Sequence, residues 1–296
     1  MTWQESALDC LSTSAGHAYR PGTPNATEPT ALAALALTAH GREGEVERAL
    51  GWLRQQQNAD GSLGVTETQD APCWPTSLAV LAWHTARGTH PRSATHFGGA
   101  LRRGTQWLVE QRGEALDRTP ILGHDPTIVG WPWVAGTHSW LEPTAWAVLA
   151  LRATGNEGHQ RTQDGMRLLI DRLLPTGGAN YGNTFVLGQK LRPQLEPTGL
   201  ALLALAGQHD PAGRIEGSCG FLTRSMDTAT PAISLSYALL GLAAQEVRPT
   251  NADELLAAAA SRTRSDEPLK WALLLLAALG DDCPLLPNRT EAVRET

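Results

Sequence analysis

Four glutamates stand at matching places in the chain: Glu28, Glu142, Glu196 and Glu267. Each precedes a proline and then an apolar run, and in the first three a threonine follows the proline. A carboxyl group at the edge of an apolar segment can do one of three things. Kept neutral by burial, it can donate a proton as a general acid. At the start of a helix, it can bond orphan backbone N–H groups at the positive end of the dipole. Gathered with its counterparts at one mouth, it can attract a cation or metal ion. A single reused position in four repeats favours the capping role, since catalytic residues are rarely used four times.

Glu142 has the richest surroundings. The stretch from Trp131 to Ala153 holds Trp131, Trp133, Trp140 and Trp146, with His138 among them, and has no further charge from Glu142 until Arg152. Trp131, Trp133, Trp140, Trp74 and, on a later glycine-rich loop, Tyr181 can wall an apolar pocket and face a developing cation through their rings. The same residues can instead plug the end of the fold and pack on helix termini. His138 and the pair His124-Asp125 flank this loop and are isolated candidates for proton transfer or metal binding. The connection from Gly113 to Trp140 is long for a helix–helix loop, and loops of that length are usually functional or disordered.

These residues depend on a repeat. Glu28-Pro29-Thr30, Trp74-Pro75-Thr76, Glu142-Pro143-Thr144 and Glu196-Pro197-Thr198 each open a nearly all-apolar segment, and weaker copies begin at Pro231 and at Glu267-Pro268. Proline suits a first helical position, where its missing N–H would be unpaired anyway. Between these segments lie half-polar ones. Residues 45–57 place Val46, Ala49, Leu50 and Leu53 on one face, with Glu45, Glu47, Arg48 and Arg54 on the other. Further amphipathic helices are predicted over 2–14, 97–112, 161–174, 213–225 and 250–262, and apolar ones over 231–243 and 267–279. A helix apolar all round must be enclosed. Six enclosed and six half-exposed helices predict an all-α (α/α)6 toroid, about twelve helices in two concentric rings, as one domain over residues 1–280. A polar, frayed tail is expected over 281–296.

Composition narrows the class. A net charge of −6 and a pI near 5.8, with scattered arginines, argue against nucleic acid as a partner. Cys10, Cys73, Cys219 and Cys283 lie far apart and suit neither a disulfide framework nor a zinc ribbon. The N-terminal residues lack the basic and apolar regions of a signal peptide. The longest apolar run, Trp271 to Leu279, is far short of the roughly 20 residues of a membrane span. A cytoplasmic protein is expected, with a peripheral contact to a membrane surface left open and the oligomeric state undetermined.

The segment Arg48 to Gly64 resembles the QW repeat of squalene–hopene cyclases and their relatives. Arg48, Ala49, Trp52, Leu53, Gln57 and Gly61 fit that pattern, while Leu63 stands where tryptophan is expected. Arg103-Gly104-Thr-Gln-Trp107-Leu108 repeats its front half, and Gly177-Gly-Ala-Asn-Tyr181 a degenerate back half. The Pro-Thr-x-x-Ala helices are similar to those of the same superfamily, which includes protein prenyltransferase β subunits. The resemblance implies the toroid fold and an isoprenoid ligand. In its proton-initiated cyclases the acid is the middle Asp of Asp-x-Asp-Asp. That motif is absent here, and the Thr-Ala register sets Glu142 on its middle position, Trp140 on its first and Pro143 on the one after Glu142. The zinc signature of the prenyltransferases is absent as well, because no histidine follows Asp281-Asp-Cys283. No metal or cofactor is expected.

Three functions follow. The first is an isoprenoid-handling protein that binds a polyprenyl or triterpene-like chain in the central cavity, with Glu142 as acid and His138 beside it. The second is a non-catalytic binding or scaffold toroid. The third is a glycan-active (α/α)6 barrel, which requires two carboxyls on opposite sides of an open groove.

Overall fold

The computed structural model describes residues 2–89, 91–119 and 121–287, with residues 91–94 by backbone alone. The expected toroid is the observed fold. Twelve α-helices alternate between two rings. The outer ring holds α1 (Trp3–Ser12), α3 (Glu43–Gln55), α5 (Pro91–Glu110), α7 (Gln160–Arg172), α9 (Arg214–Ser225) and α11 (Ala252–Ser261). The inner ring holds α2 (Thr27–Ala39), α4 (Thr76–Thr89), α6 (Leu141–Ala153), α8 (Leu195–Ala204), α10 (Ala232–Ala244) and α12 (Pro268–Ala278). Each inner helix packs on the next, and α12 returns onto α2 to close the circle.

Sequence explains the sorting. Every residue of α2 from Thr27 to Thr38 is buried, so no face of it can meet water. In α12 the run Leu273–Leu276 is fully buried, each leucine contributing roughly 1.5–3 kcal/mol over an exposed one. By contrast α3 buries only Val46, Ala49, Leu50 and Leu53 and turns Glu47 and Arg48 outward. The tightest inner contact joins α8 to α10. A Cβ on Gly199 would run into the Tyr237 carbonyl, and one on Gly241 into the backbone of Gly199. Only glycine permits that approach.

The repeated threonines fasten loops to the inner helices. Thr30, Thr76, Thr144 and Thr198 are fully buried, and their hydroxyls accept from the backbone N–H of His17, Leu63, Trp131 and Ala179 at 2.8–2.9 Å. The Thr76 and Thr198 hydroxyls donate to the Cys73 and Gln194 carbonyls, and those of Thr30 and Thr144 to the carbonyls of His17 and Trp131 at 3.4 Å. One side chain thus satisfies a buried loop N–H in each of four repeats. Gln57 fastens two outer helices. The Gln57 amide donates to the Gly61 and Ala100 carbonyls and its oxygen accepts from Arg103, tying the end of α3 to α5.

Two short hairpins interrupt the helices: β1 (His17–Ala18) with β2 (Asn25–Ala26), and β3 (Phe185–Val186) with β4 (Gln189–Lys190). The packed body also runs past the expected boundary at residue 280. Gly280–Asp282 form a 3-10 turn and Cys283 and Leu285 are buried. The polar tail was expected from residue 281 because Asp281-Asp282 hides that apolar pair. Its last nine residues, 288–296, lie outside the described residues.

Candidate functional site at the barrel mouth

Alternating helices run antiparallel, so all six inner helices point the same way and their N-termini share one end of the barrel. Glu28, Glu142 and Glu196 each occupy the first turn of their helix, on α2, α6 and α8. In ring order α2 and α8 are opposite each other, and α6 adjoins α8. The three carboxyls therefore ring one mouth.

They meet there electrostatically. Burial pushes the Glu28 carboxyl up from 4.5 to about 7, against the pull of its hydrogen bond from Tyr19 and with help from Glu196. Burial, then Glu28 and Glu196, hold Glu142 well above the usual carboxylate range. Burial alone raises Glu196. Charge on Glu196 thus makes Glu28 and Glu142 harder to ionise, and charge on Glu28 does the same to Glu142.

Tyrosines close the cluster. The β1–β2 hairpin, fastened by the His17–Thr30 bond, carries Tyr19 to the mouth, where its hydroxyl donates to Glu28 Oε2 at 2.6 Å. Tyr237, midway along α10, is buried beneath. Its phenol is pushed up by burial and then by Glu28, Glu142, Glu196 and Tyr19. Its ring meets Trp146 edge-on, centroids 6.1 Å apart, and the two fill the barrel floor. The Trp146 Nε1 there has no partner.

Neither of the other uses expected of the glutamates fits these three. Among the described residues, Glu142 and Glu196 make no capping hydrogen bond, and Glu28 spends its carboxyl on Tyr19. Threonine, one turn into the helix, does the fastening instead. Nor is any group of three or more His, Cys, Asp or Glu among the described residues spaced to hold a metal ion. Glu267 does not join the cluster. It accepts from Lys270 Nζ at 2.5 Å and from the Arg264 N–H at 2.9 Å, and these outweigh burial to hold its carboxyl low. The lysine, three residues on, has no counterpart in the other copies.

The aromatic residues separate into two groups. Trp74 and Trp133 meet edge-on at 5.1 Å, and with Trp131, Pro143 and, from α5, Trp107 and Leu108 they line a cleft of about 10 Å³. That cleft has room for about one water. Trp140 caps α6 from the rim with the exposed His138 against it, centroids 4.7 Å apart, and Tyr181 stands half-exposed on the same rim. Trp131 is turned away from the mouth. Its indole donates to the Leu108 carbonyl, and the Arg161 guanidinium lies 4.1 Å over its ring. Arg161 is itself buried and donates to the Gln111, Val129 and Gly130 carbonyls, holding the long loop on α7.

His124 and Asp125 stay apart from the glutamates. Arg118 holds Asp125 well below the usual range, together with Thr127, and Asp125 closes a turn against α7. Burial and Arg172 lower His124 to about 4, leaving it neutral. Beside Tyr19 an open cavity of about 580 Å³ is lined by Tyr19, Arg20, Ile233, Glu267, Leu269 and Lys270. Tyr19, on its wall, is the residue that donates to Glu28.

Sequence reasoning missed Tyr19, Tyr237 and the threonines. Tyr237 had a signal: within Ala232–Ala244 it is the one aromatic residue, and it follows Ser234 and Ser236. Threonine had a stronger one, because it recurs even where tryptophan replaces the glutamate, at Trp74-Pro75-Thr76.

No family model matches the sequence, and no curated protein matches it. Solved structures share the fold. A GH8 endo-β-1,4-glucanase from an Achatina fulica gut metagenomic library aligns over 94% of this chain and 97% of its own, at 16% identity and TM-score 0.58. An α-amylase from Clostridium perfringens aligns over 93% and 97%, at 9% identity and TM-score 0.64. The type II terpene cyclase MstE from Scytonema aligns over 90% and 80%, at 14% identity and TM-score 0.54. The chain shares its (α/α)6 fold with glycosidases and a terpene cyclase, and identities this low show the fold alone.

Proposed function

We propose that the protein is a proton-donating enzyme acting on an isoprenoid, with Glu142 as the acid. The observation that carries this reading is the place of Glu142, in the first turn of α6 at the barrel mouth, pushed up by burial and by Glu28 and Glu196, at the position the Thr-Ala register assigns to the acid of the cyclases. A carboxyl kept neutral by burial is a weak acid, so it suits an isoprenoid whose reacting end bears a basic oxygen, such as an epoxide, better than a bare alkene. Proton transfer to that oxygen opens the C–O bond. The cation left on carbon meets the ring faces of Trp74, Trp133 and Trp140 and the ionised share of Glu28 and Glu196. Loss of a neighbouring C–H proton to one of those carboxylates closes the sequence without a co-reactant.

The test is native mass spectrometry of the purified protein with extraction of co-purifying lipid, then turnover of an epoxy-isoprenoid. An isoprenoid carried by the wild type but not by a Trp133→Ala, Trp140→Ala variant, and turnover abolished by Glu142→Gln, are expected. A protein that is empty and ignores added polyprenyl chains overturns the reading and leaves a scaffold toroid, which the Trp146–Tyr237 floor would suit.

One observation favours a second reading. Glu28 and Glu196 lie on opposite sides of the ring, as an acid and base flanking a glycosidic bond would, and solved glycosidases share the fold. Release of reducing ends from β-1,4-glucan, abolished by Glu28→Gln or Glu196→Gln, would establish it in place of the first.

A further inference from the structure

Charge is divided unevenly among the connections that lead into the inner helices, all of which emerge at the mouth. Between Arg54 and Arg87 the chain has no lysine or arginine, and the connection into α4 carries Glu67 and Asp70, both exposed. Between Asp171 and Glu196 it has no further acidic residue, and the connection into α8 carries Lys190 and Arg192, both exposed. None of these four side chains forms an ion pair among the described residues. The mouth thus has one acidic side and one basic side.

Exposed apolar side chains gather on the same face. Leu116, Ile121 and Val134 lie on the connection into α6, and Tyr181 and Leu187 on the one into α8. Ile121 is 58% exposed and Leu187 83%. Among the described residues the one other exposed large apolar side chain is Val247, which follows α10 at the far end of the barrel. Apolar groups concentrated in one place and rimmed by charge mark an interaction surface.

Ring order names the partner. In the inner ring α4 and α8 stand one step to either side of α6. A second copy, turned over about a two-fold axis that lies in the plane of the mouth and passes over α6, lays α6 on α6 and exchanges the two sides. The acidic connection of each copy then meets the basic connection of the other. The same rotation sets Arg20, before α2, opposite Asp227, before α10, and both are exposed. The apolar connection into α6 lies on the axis and meets its own copy. A surface whose acidic and basic sides exchange under a two-fold rotation is complementary to itself, as an isologous interface requires. We propose that two copies of the chain associate mouth to mouth in this way, each barrel covering the other's glutamates. The charged connections fix the register, and the apolar residues between them supply the burial. The association stands on the charge pattern of the connections, whatever chemistry the glutamates perform.

The test is sedimentation velocity of the full chain over a range of concentrations. A species of twice the 31.7 kDa chain mass is expected, and salt should weaken it. The pair Lys190→Glu, Arg192→Glu sets acid against acid. The pair Glu67→Gln, Asp70→Lys sets base against base, and glutamine keeps an acceptor for the Asn25 N–H. All four positions are exposed, so Tm should hold in both variants. Each variant alone should dissociate at least about tenfold more readily than wild type. Mixed in equal amounts, the two should re-form a dimer, because each then offers the other an opposite charge on both sides. Wild type that stays monomeric at every concentration overturns the proposal, as does a dimer that either variant leaves intact. A mixture that remains monomeric overturns it too, since the two connections then do not face each other.

Discussion

Replacing Glu28 with glutamine should stabilise the protein relative to wild type as pH rises. The Glu28 carboxyl moves from an ordinary value of 4.5 to about 7 on folding. A folded value above the unfolded one means the native state binds the proton more tightly. That stabilisation is fully present below 4.5 and lost as pH rises through 7. Linkage over this window amounts to about 0.8 kcal/mol against the fold at pH 5 and about 3.3 at pH 8, a difference of about 2.5 kcal/mol. Glutamine does not titrate, and its amide oxygen can still accept from Tyr19, so any loss from the substitution itself is independent of pH. Urea unfolding followed by tryptophan fluorescence at both pH values gives the four free energies needed. The variant-minus-wild-type stability should rise by about 2.5 kcal/mol from pH 5 to pH 8, or by half that if the cluster shares its protons more evenly. Parallel pH profiles for the two proteins would refute the claim that Glu28 is buried among carboxyls.

Other residues give independent tests. Thr144→Val keeps the shape but strands the Trp131 N–H, whose carbonyl still accepts from the Trp140 N–H, and should cost about 1–3 kcal/mol in chemical unfolding, with Thr144→Ser close to wild type. Gly241→Ala forces α10 off the backbone of Gly199 and should cost at least about 2 kcal/mol by the same assay. Arg161→Met leaves the Gln111 and Val129 carbonyls without a donor, takes one of two from Gly130, and uncovers the Trp131 ring. It should increase amide exchange across residues 111–131 and lower Tm, while the inner helices keep their protection.

Much of this structure was legible in sequence because one rule dominates it: a segment apolar on every side must be enclosed. The runs after Glu28, Glu142 and Glu196 announced the inner ring, and the i, i+3, i+4, i+7 spacing of Val46, Ala49, Leu50 and Leu53 announced the outer. Convergence of the glutamates was less legible. All four copies look alike, and only the lysine three residues after Glu267 neutralises that member. Two assignments depended on the direction of a side chain, which local sequence does not carry. Trp131 turns outward because Arg161, thirty residues later, offers its guanidinium face and Leu108 a carbonyl. Tyr19 turns inward because a two-residue strand pair bends its loop over the mouth. The loop-fastening role went to threonine rather than glutamate for a reason visible only in three dimensions: its short hydroxyl reaches a peptide unit that the longer carboxyl overshoots.

The most direct measurement of the account is a carboxyl-detected NMR titration of the protein with 13C-labelled glutamate side chains, resonances assigned by Glu28→Gln, Glu142→Gln and Glu196→Gln. The account predicts Glu28 titrating near 7 and Glu142 well above the ordinary glutamate range, with Glu196→Gln lowering both and Glu28→Gln lowering Glu142. Three carboxyls that ionise independently in the ordinary glutamate range, around 4 to 5, would contradict the cluster and, with it, the acid on which the proposed chemistry depends.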